Sequence, residues 1–149
     1  MRKIIFTLGL MLATSLTFTA QEIAKNALGV RFGGSNNGSG GEISYQAAMG
    51  ENNRLEIDLG LANKFNDFKI TGLYQWVWSL ENRFNWYAGF GAGLVSANET
   101  GVFAAGVVGI EYNFDAPILI SLDYRPEVGL SGGLNGLGSD FALALRYQF

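Results

Sequence analysis

The sequence predicts an all-β protein, an eight-stranded antiparallel up-and-down transmembrane β-barrel preceded by a cleavable signal peptide. Three observations carry this prediction. Apolar and polar residues alternate with period two through eight segments, which is typical of strands with two different faces. Hydrophobic residues make up 48% of the chain and charged residues only 15%, whereas soluble domains have about 25% charged residues. The first residues also have the layout of an export signal.

The N-terminal segment has the parts of a secretory signal peptide. A basic pair, Arg2 and Lys3, precedes an apolar run over residues 4–18 that is broken only by Thr and Ser. A membrane anchor is the alternative, but this run is shorter than the ~20 residues that a spanning helix needs. We therefore divide the chain into a signal peptide at residues 1–20 and a barrel domain at residues 21–149.

Each strand is predicted from its own alternation. In chain order the segments are 28–33, 42–49, 54–61, 68–79, 84–94, 102–114, 118–127 and 140–149. In each segment the apolar residues occupy every second position. Two such residues from each segment, in the same order, are Leu28 and Phe32, Ile43 and Tyr45, Leu55 and Ile57, Phe68 and Trp76, Trp86 and Phe90, Val108 and Ile110, Ile120 and Leu122, and Leu143 and Leu145. Leu73 and Val77 are exceptions, because they fall on the polar parity of the fourth segment.

Turn chemistry separates the segments. Three connections are tight, at residues 50–53, 81–83 and 115–117. The other four connections are residues 34–41, 63–67, 96–101 and 129–139. The two kinds alternate along the chain, as the two ends of an up-and-down barrel require.

Alternation does not say which solvent meets the apolar face. A soluble barrel has this face inside, around an apolar ligand, whereas a membrane barrel has it outside, against lipid. The polar face is rich in Gly, Ala and Ser, which suits a narrow interior filled with side chains. Aromatic residues also collect near strand ends, with Trp76, Trp86 and Tyr112 at one rim and Phe32 and Phe141 at the other. Such belts favour the membrane barrel.

The chain ends in Arg146, Tyr147, Gln148 and Phe149, and here it resembles bacterial outer-membrane β-barrels, whose final strand ends in an aromatic residue. In size it is similar to the small eight-stranded barrels of the outer-membrane protein A and X type. The resemblance implies a place in the bacterial outer membrane, in contact with its lipid and lipopolysaccharide. It also implies that the barrel-assembly machinery reads Tyr147 and Phe149 during insertion.

Charged residues on the polar parity are expected to form a network inside the barrel. The expected members are Arg31, Glu56, Asp58, Glu111, Asp123, Arg125 and Arg146. The same parity also holds Glu42, Lys69, Glu127 and Asp140, with Arg54 near one mouth. Charges in a narrow tube must pair or be hydrated, because unpaired burial is costly. The two interpretations are a structural salt-bridge plug and a gated or selective pore.

Composition limits the available chemistry. The chain has no His and no Cys, which excludes disulfides, histidine or thiolate metal sites, and catalysis that uses a histidine base. Without residues 1–20, Lys+Arg falls from 10 to 8 while Asp+Glu stays at 13, so the net charge is −5 and nucleic-acid binding is disfavoured. Gly89, Gly91 and Gly93 lack nucleotide-loop spacing and are expected to make room inside for neighbours such as Tyr87.

We therefore expect a non-enzymatic integral outer-membrane barrel, without a cofactor, in an envelope-structural or surface-interaction role. The alternatives are a small-solute channel through a hydrated lumen and a secreted soluble barrel that binds an apolar ligand. The identity of an external partner does not follow from the sequence. The first place to look for a partner contact is the connection 129–139, through Leu130, Leu134 and Leu137.

Overall fold

The computed structural model describes residues 23–35, 38–62, 67–134 and 136–149. These residues form eight strands: β1 (Asn26–Ser35), β2 (Gly38–Ala48), β3 (Asn53–Ala62), β4 (Asp67–Glu81), β5 (Phe84–Ser96), β6 (Thr100–Asn113), β7 (Ile118–Gly129) and β8 (Leu137–Gln148). No helix within these ranges is long and apolar enough to cross a bilayer, a finding that has no bearing on spans made of strands. The signal peptide expected at residues 1–20 lies outside the described residues.

The strands close into one barrel in chain order, and each strand is antiparallel to both neighbours. The ring is sealed between β1 and β8, where the backbones of Asn26 and Phe149 exchange hydrogen bonds of 3.1 and 2.9 Å. A closed ladder leaves no unpaired strand edge, which is the condition for placing strands in lipid. The predicted eight-stranded up-and-down barrel is confirmed.

The two ends of the barrel differ. The start of β1, the end of β8 and the three tight turns lie at one end, which we call the terminal end. The strand ends that the other four connections join lie at the opposite end, the loop end. There the strands run further than their alternation predicts: Gly33 pairs with Gly40, and Ser96 pairs with Thr100. Glycine has no side chain and so leaves no apolar alternation in the sequence. These residues are extended because they hydrogen-bond to the neighbouring strand.

The outer surface is apolar on every strand. Large exposed hydrophobic side chains include Leu28, Ile43, Ile57, Phe68, Phe90, Val108, Leu122 and Leu143, one from each strand in order. Inward positions are buried, and many of them are polar or charged. The pleat therefore separates an apolar exterior from a largely polar interior.

One side of the interior is apolar. Its cluster consists of Leu73, Val77, Tyr87, Phe103, Ala105 and Val107, all from β4, β5 and β6. The two exceptions to the alternation of the fourth segment, Leu73 and Val77, are thus inward-facing members of this cluster. The interior therefore has a charged half and an apolar half, a division that the alternation pattern indicated only through these two exceptions.

Inward glycines make room for large neighbours, as expected, but the partners differ from those expected. A Cβ atom at Gly109 would overlap the ring of Tyr87, and one at Gly93 would overlap the ring of Phe103. At Gly89 and Gly91 the Cβ atom would instead collide with backbone carbonyls of β4. These two residues therefore allow β5 to approach β4 closely, while Gly109 accommodates Tyr87.

Candidate functional site: the charged lumen

The alternation of side chains along each strand places all seven predicted network residues inside the barrel. They are Arg31 on β1, Glu56 and Asp58 on β3, Glu111 on β6, Asp123 and Arg125 on β7, and Arg146 on β8. None of them is more than 3% exposed. Because the sheet is closed, strands that are distant in sequence bring these side chains into contact across the lumen.

Arg31 is held by three carboxylates. Its Nη1 atom lies 2.8 Å from Glu42 and 2.6 Å from Asp140, and its Nη2 atom lies 2.6 Å from Asp123. Asp123 also accepts a hydrogen bond of 3.1 Å from the hydroxyl of Tyr87. Arg31 therefore ties β1 to β2, β7 and β8, and Tyr87 joins the charged half of the lumen to the apolar half.

Arg125 extends this network toward β3. Its Nη2 atom lies 2.5 Å from Asp58 and 3.1 Å from Glu56, and its Nη1 atom lies 3.4 Å from Glu42. Glu42 is shared with Arg31, so the two guanidinium groups belong to one continuous network. Among the described residues, Asp58 makes an ion pair with Arg125 alone.

Arg146 continues the network toward the terminal end. It lies 3.1 Å from Glu56 and donates hydrogen bonds of 2.8 Å to the hydroxyls of Ser44 and Ser121. Glu56 also accepts a hydrogen bond of 2.5 Å from Gln46. A buried carboxylate with several donors is well compensated for its loss of water.

Glu111 belongs to a separate pair near the terminal end. Its Oε2 atom lies 2.7 Å from Nη1 of Arg54, and its Oε1 atom accepts a hydrogen bond of 3.2 Å from Asn85. Arg54 also donates to Gln75 at 2.6 Å, and its guanidinium lies 4.6 Å from the ring centroid of Tyr87. This cation–π contact compensates a charge on the boundary with the apolar half.

Sequence reasoning missed the neutral members of the site. Five neutral side chains each form a hydrogen bond with one of the charged groups: Ser44, Gln46, Gln75, Tyr87 and Ser121. It also missed the bridging role of Glu42. Their inward parity was the available signal, but parity does not say which hydroxyl or amide meets which guanidinium.

Each charged side chain named above is engaged in an ion pair with another charged side chain of the lumen. Within the described ranges, no group of three or more acidic side chains is placed to hold a metal ion. Opposite charges from different strands instead cross-link the wall from inside. Removing one partner of such a pair is strongly destabilising, so the arrangement makes stability depend on the complete set.

The remaining predicted residues lie on the outside or at the loop end. Tyr147 and Phe149 face outward at the terminal end, with ring centroids 6.3 Å apart. Leu130 and Leu137 are 63% and 82% exposed at the loop end. Leu134, by contrast, is half-buried and packs against the apolar cluster of the interior. The loop therefore presents two of its three leucines outward.

Comparison with solved structures finds small transmembrane barrels. A de novo designed transmembrane β-barrel is 14% identical, with a TM-score of 0.67 over 88% of this chain and 100% of its own. The N-terminal β-barrel domain of Pseudomonas aeruginosa OprF is 12% identical, with a TM-score of 0.66 over 85% and 100%. Neisserial surface protein A is 13% identical, with a TM-score of 0.64 over 83% and 96%. No family model and no curated protein matches the sequence.

The fold and its polarity define the class: an eight-stranded transmembrane β-barrel. At such low identity the solved structures show the fold alone, and the sequence-based resemblance to small outer-membrane barrels is confirmed at that level. The alternative of a soluble barrel around an apolar ligand is wrong. Its apolar face would line the lumen, whereas buried arginines and carboxylates line much of it here and large hydrophobic side chains cover the outside.

Proposed function

We propose that this protein is an integral barrel of the bacterial outer membrane, with a sealed lumen and a non-enzymatic role in envelope structure or surface interaction. The apolar exterior and the closed ladder support a site in lipid. The export signal expected at residues 1–20 and the tight turns at the terminal end support an outer-membrane orientation with this end on the periplasmic side.

The observation that carries the proposal is the occupation of the lumen by its own charges. Arg31 and Arg125 bind carboxylates from β2, β3, β7 and β8 across the barrel. A conducting path would have to separate these buried pairs, and a charge left unpaired in a narrow lumen is costly. The absence of His from the sequence further supports a role without histidine-dependent catalysis.

The partners in this role are the membrane and the machinery that inserts the barrel. Outward hydrophobic side chains meet acyl chains, and the loop end meets the lipopolysaccharide leaflet. Tyr147 and Phe149 are exposed on the outward face of the barrel, which supports their proposed recognition by the barrel-assembly machinery. The proposal includes no cofactor and no nucleic acid.

Conductance in planar bilayers tests the sealed lumen. The unmodified protein should give no reproducible unitary steps. Arg31→Ala, which frees Glu42, Asp123 and Asp140 from their shared cation, should raise the frequency of brief openings. Reproducible steps from the unmodified protein would favour the small-solute channel instead.

Fractionation tests the location. The full chain should enter the outer-membrane fraction, and its band should shift on unheated detergent gels because closed barrels resist denaturation. A variant without residues 1–20 should remain in the cytoplasm. Recovery of the full chain in a soluble fraction without detergent contradicts the proposal.

The exposed leucines of the loop end favour a role in surface interaction over a purely structural role. Leu137 is 82% exposed and occupies one of the outward-facing positions of β8. Leu130 follows the end of β7 and keeps the outward-facing alternation of that strand. A single cysteine at position 137, labelled with an environment-sensitive dye, distinguishes two occupants of this rim. Quenching by an aqueous quencher supports a surface that an external partner can reach, whereas protected blue-shifted emission indicates contact with acyl chains.

A further inference from the structure

Phe90 stands on the outer wall in the middle of β5, surrounded by small residues. Its ring is 63% exposed, more than any other large outward hydrophobic side chain of β4, β5 or β6. The strand registers give it three large outward neighbours, Tyr74, Trp76 and Val108. Its other outward neighbours on these strands are Gly72, Ala88, Ala92, Ala104 and Gly106. We call Phe90 and these five small residues the Phe90 face, and the space above the small residues its recess.

The barrel itself does not require the two glycines of this face. Apart from chain neighbours, the described atom nearest to a Cβ on Gly72 would lie at 4.0 Å, and the one nearest to a Cβ on Gly106 at 3.5 Å, both ordinary contact distances. Neither glycine has the left-handed backbone in which a side chain would be strained. The Phe90 ring does not cover them, and it packs instead against Trp76, with ring centroids 5.7 Å apart. Glycine within a strand weakens it and often marks the close approach of another molecule, so both positions leave room for something outside the chain.

The room on this face fits a protein surface better than it fits lipid. Lipid tails are fluid and as apolar as the wall, so they gain nothing from a recess of fixed shape. Proteins in a bilayer associate instead through close packing, and small residues mark their contacts. A projecting aromatic ring is the kind of anchor that fills a pocket at the centre of an interface. The Phe90 face carries both the ring and the recess, which makes it complementary to itself.

We propose that two copies of this chain pack together through the Phe90 face, with the Phe90 ring of each copy in the recess of the other. Copies inserted in the same direction can be related by a twofold axis along the membrane normal, and such a contact joins the same patch of both. This rotation preserves depth, so the ring and the recess must lie at similar depth. They do, because Gly106 is the register partner of Phe90, and Ala104 lies one outward position further along β6.

The dimer goes beyond the proposed function, because it adds a second copy of the chain as a partner. It rests on the placement of the barrel in lipid. It does not depend on the sealed lumen or on the role of the loop end.

Energy transfer between labelled copies in lipid vesicles tests the dimer. The native chain has no cysteine, so Glu51→Cys introduces one attachment site, in the exposed turn 50–53 at the terminal end. Donor-labelled and acceptor-labelled copies of this parent should show energy transfer even at high dilution in lipid. Phe90→Ala removes the ring and Gly106→Leu fills the recess. Each substitution should weaken association at least about tenfold, because central anchors carry much of the binding energy of an interface.

Two control variants change the outer wall away from the Phe90 face. Phe141→Ala removes a ring of β8 that is also 63% exposed. Ala47→Leu enlarges a small, half-buried outward residue of β2. Both controls should associate as the parent does. The gel shift of unheated samples confirms that each variant is folded.

A mixture of the two test variants examines the reciprocal packing. Phe90→Ala keeps the recess and Gly106→Leu keeps the ring, so one ring can still enter one recess when the two variants meet. Donor-labelled Phe90→Ala with acceptor-labelled Gly106→Leu should therefore transfer energy more efficiently than either variant does with itself. Mixing would not rescue a merely structural effect of the two substitutions.

Three results would overturn the dimer. Absence of energy transfer in the parent leaves the face to lipid or to another protein, and a retained gel shift then shows that the barrel itself stands. Energy transfer that survives both Phe90→Ala and Gly106→Leu places the contact elsewhere on the wall. A mixture that transfers no more efficiently than its two components alone excludes the packing of ring into recess.

Discussion

Replacing Arg125 by methionine isolates the contribution of one buried cation. Methionine is unbranched and fills most of the space of the arginine stem without its charge. After the substitution, Glu42 keeps Arg31 at 2.8 Å and Glu56 keeps Arg146 at 3.1 Å. Asp58, which Arg125 binds at 2.5 Å, loses its only ion-pair partner among the described residues. The main effect of Arg125→Met is therefore one unpaired buried carboxylate.

An unpaired buried charge left by removal of its partner costs about 3–5 kcal/mol, so the free energy of unfolding should fall by this amount. Asp58→Asn, added to Arg125→Met, removes the unpaired charge. The double variant should recover about 2 kcal/mol or more, because a buried ion pair replaced by neutral groups is often nearly neutral in stability. Lys69→Met is the matched control, since Lys69 pairs with Glu127 but is 26% exposed, and should cost less than about 1 kcal/mol.

The assay is reversible urea unfolding of the four proteins in lipid vesicles, followed by tryptophan fluorescence. Trp76, Trp78 and Trp86 all lie on β4 and β5 and report closure of the barrel. If Arg125→Met unfolds at the same urea concentration as the parent, then Arg125 does not compensate a buried charge. If Asp58→Asn brings no recovery in the Arg125→Met background, then the unpaired carboxylate of Asp58 is not the cause of the loss.

Single substitutions in the barrel wall, on the lipid-facing surface and in the last strand should each have a distinct effect. Gly109→Ala should lower the free energy of unfolding in urea by about 1–3 kcal/mol, because its Cβ atom would overlap the ring of Tyr87. Leu143→Arg should cost about 2–4 kcal/mol in lipid vesicles, because its outward side chain meets the hydrocarbon. Phe149→Ala should reduce insertion in cells, measured by outer-membrane fractionation, while the purified chain still folds into vesicles.

Each of these predictions has a control on the same molecule. Gly34→Ala should be nearly neutral, because a Cβ atom there meets nothing within 4 Å. Leu137→Arg, at the loop end, should cost about 0–1 kcal/mol. An equal cost for Leu137→Arg and Leu143→Arg contradicts the placement of position 143 deeper in the hydrocarbon than position 137. Phe114→Ala removes another exposed aromatic ring, away from the final strand. An equal loss of insertion in Phe114→Ala contradicts the special role of the C-terminal residue.

Local periodicity was enough to predict the eight strands and the two faces of each. Residues such as Leu143 and Ala144 could be assigned to opposite sides because side chains alternate along any strand, whatever it pairs with. A charged side chain that is buried in a narrow barrel needs a partner of opposite charge. The inward positions of the charged residues were therefore enough to predict a network in the lumen. These inferences depend only on local periodicity and on the cost of placing a charge in an apolar medium.

The contacts between charged groups depend on the closed barrel and could not be read from the alternation. The contact of Arg125 with Asp58 joins β7 to β3, two strands that do not pair with each other, and it depends on the register of the whole ring. The apolar half around Leu73 and Val77, and the assignment of Gly109 rather than Gly89 to Tyr87, were likewise hidden. Alternation fixes the side of the sheet but not the height or the opposite wall, because these follow from closure of all eight strands at once.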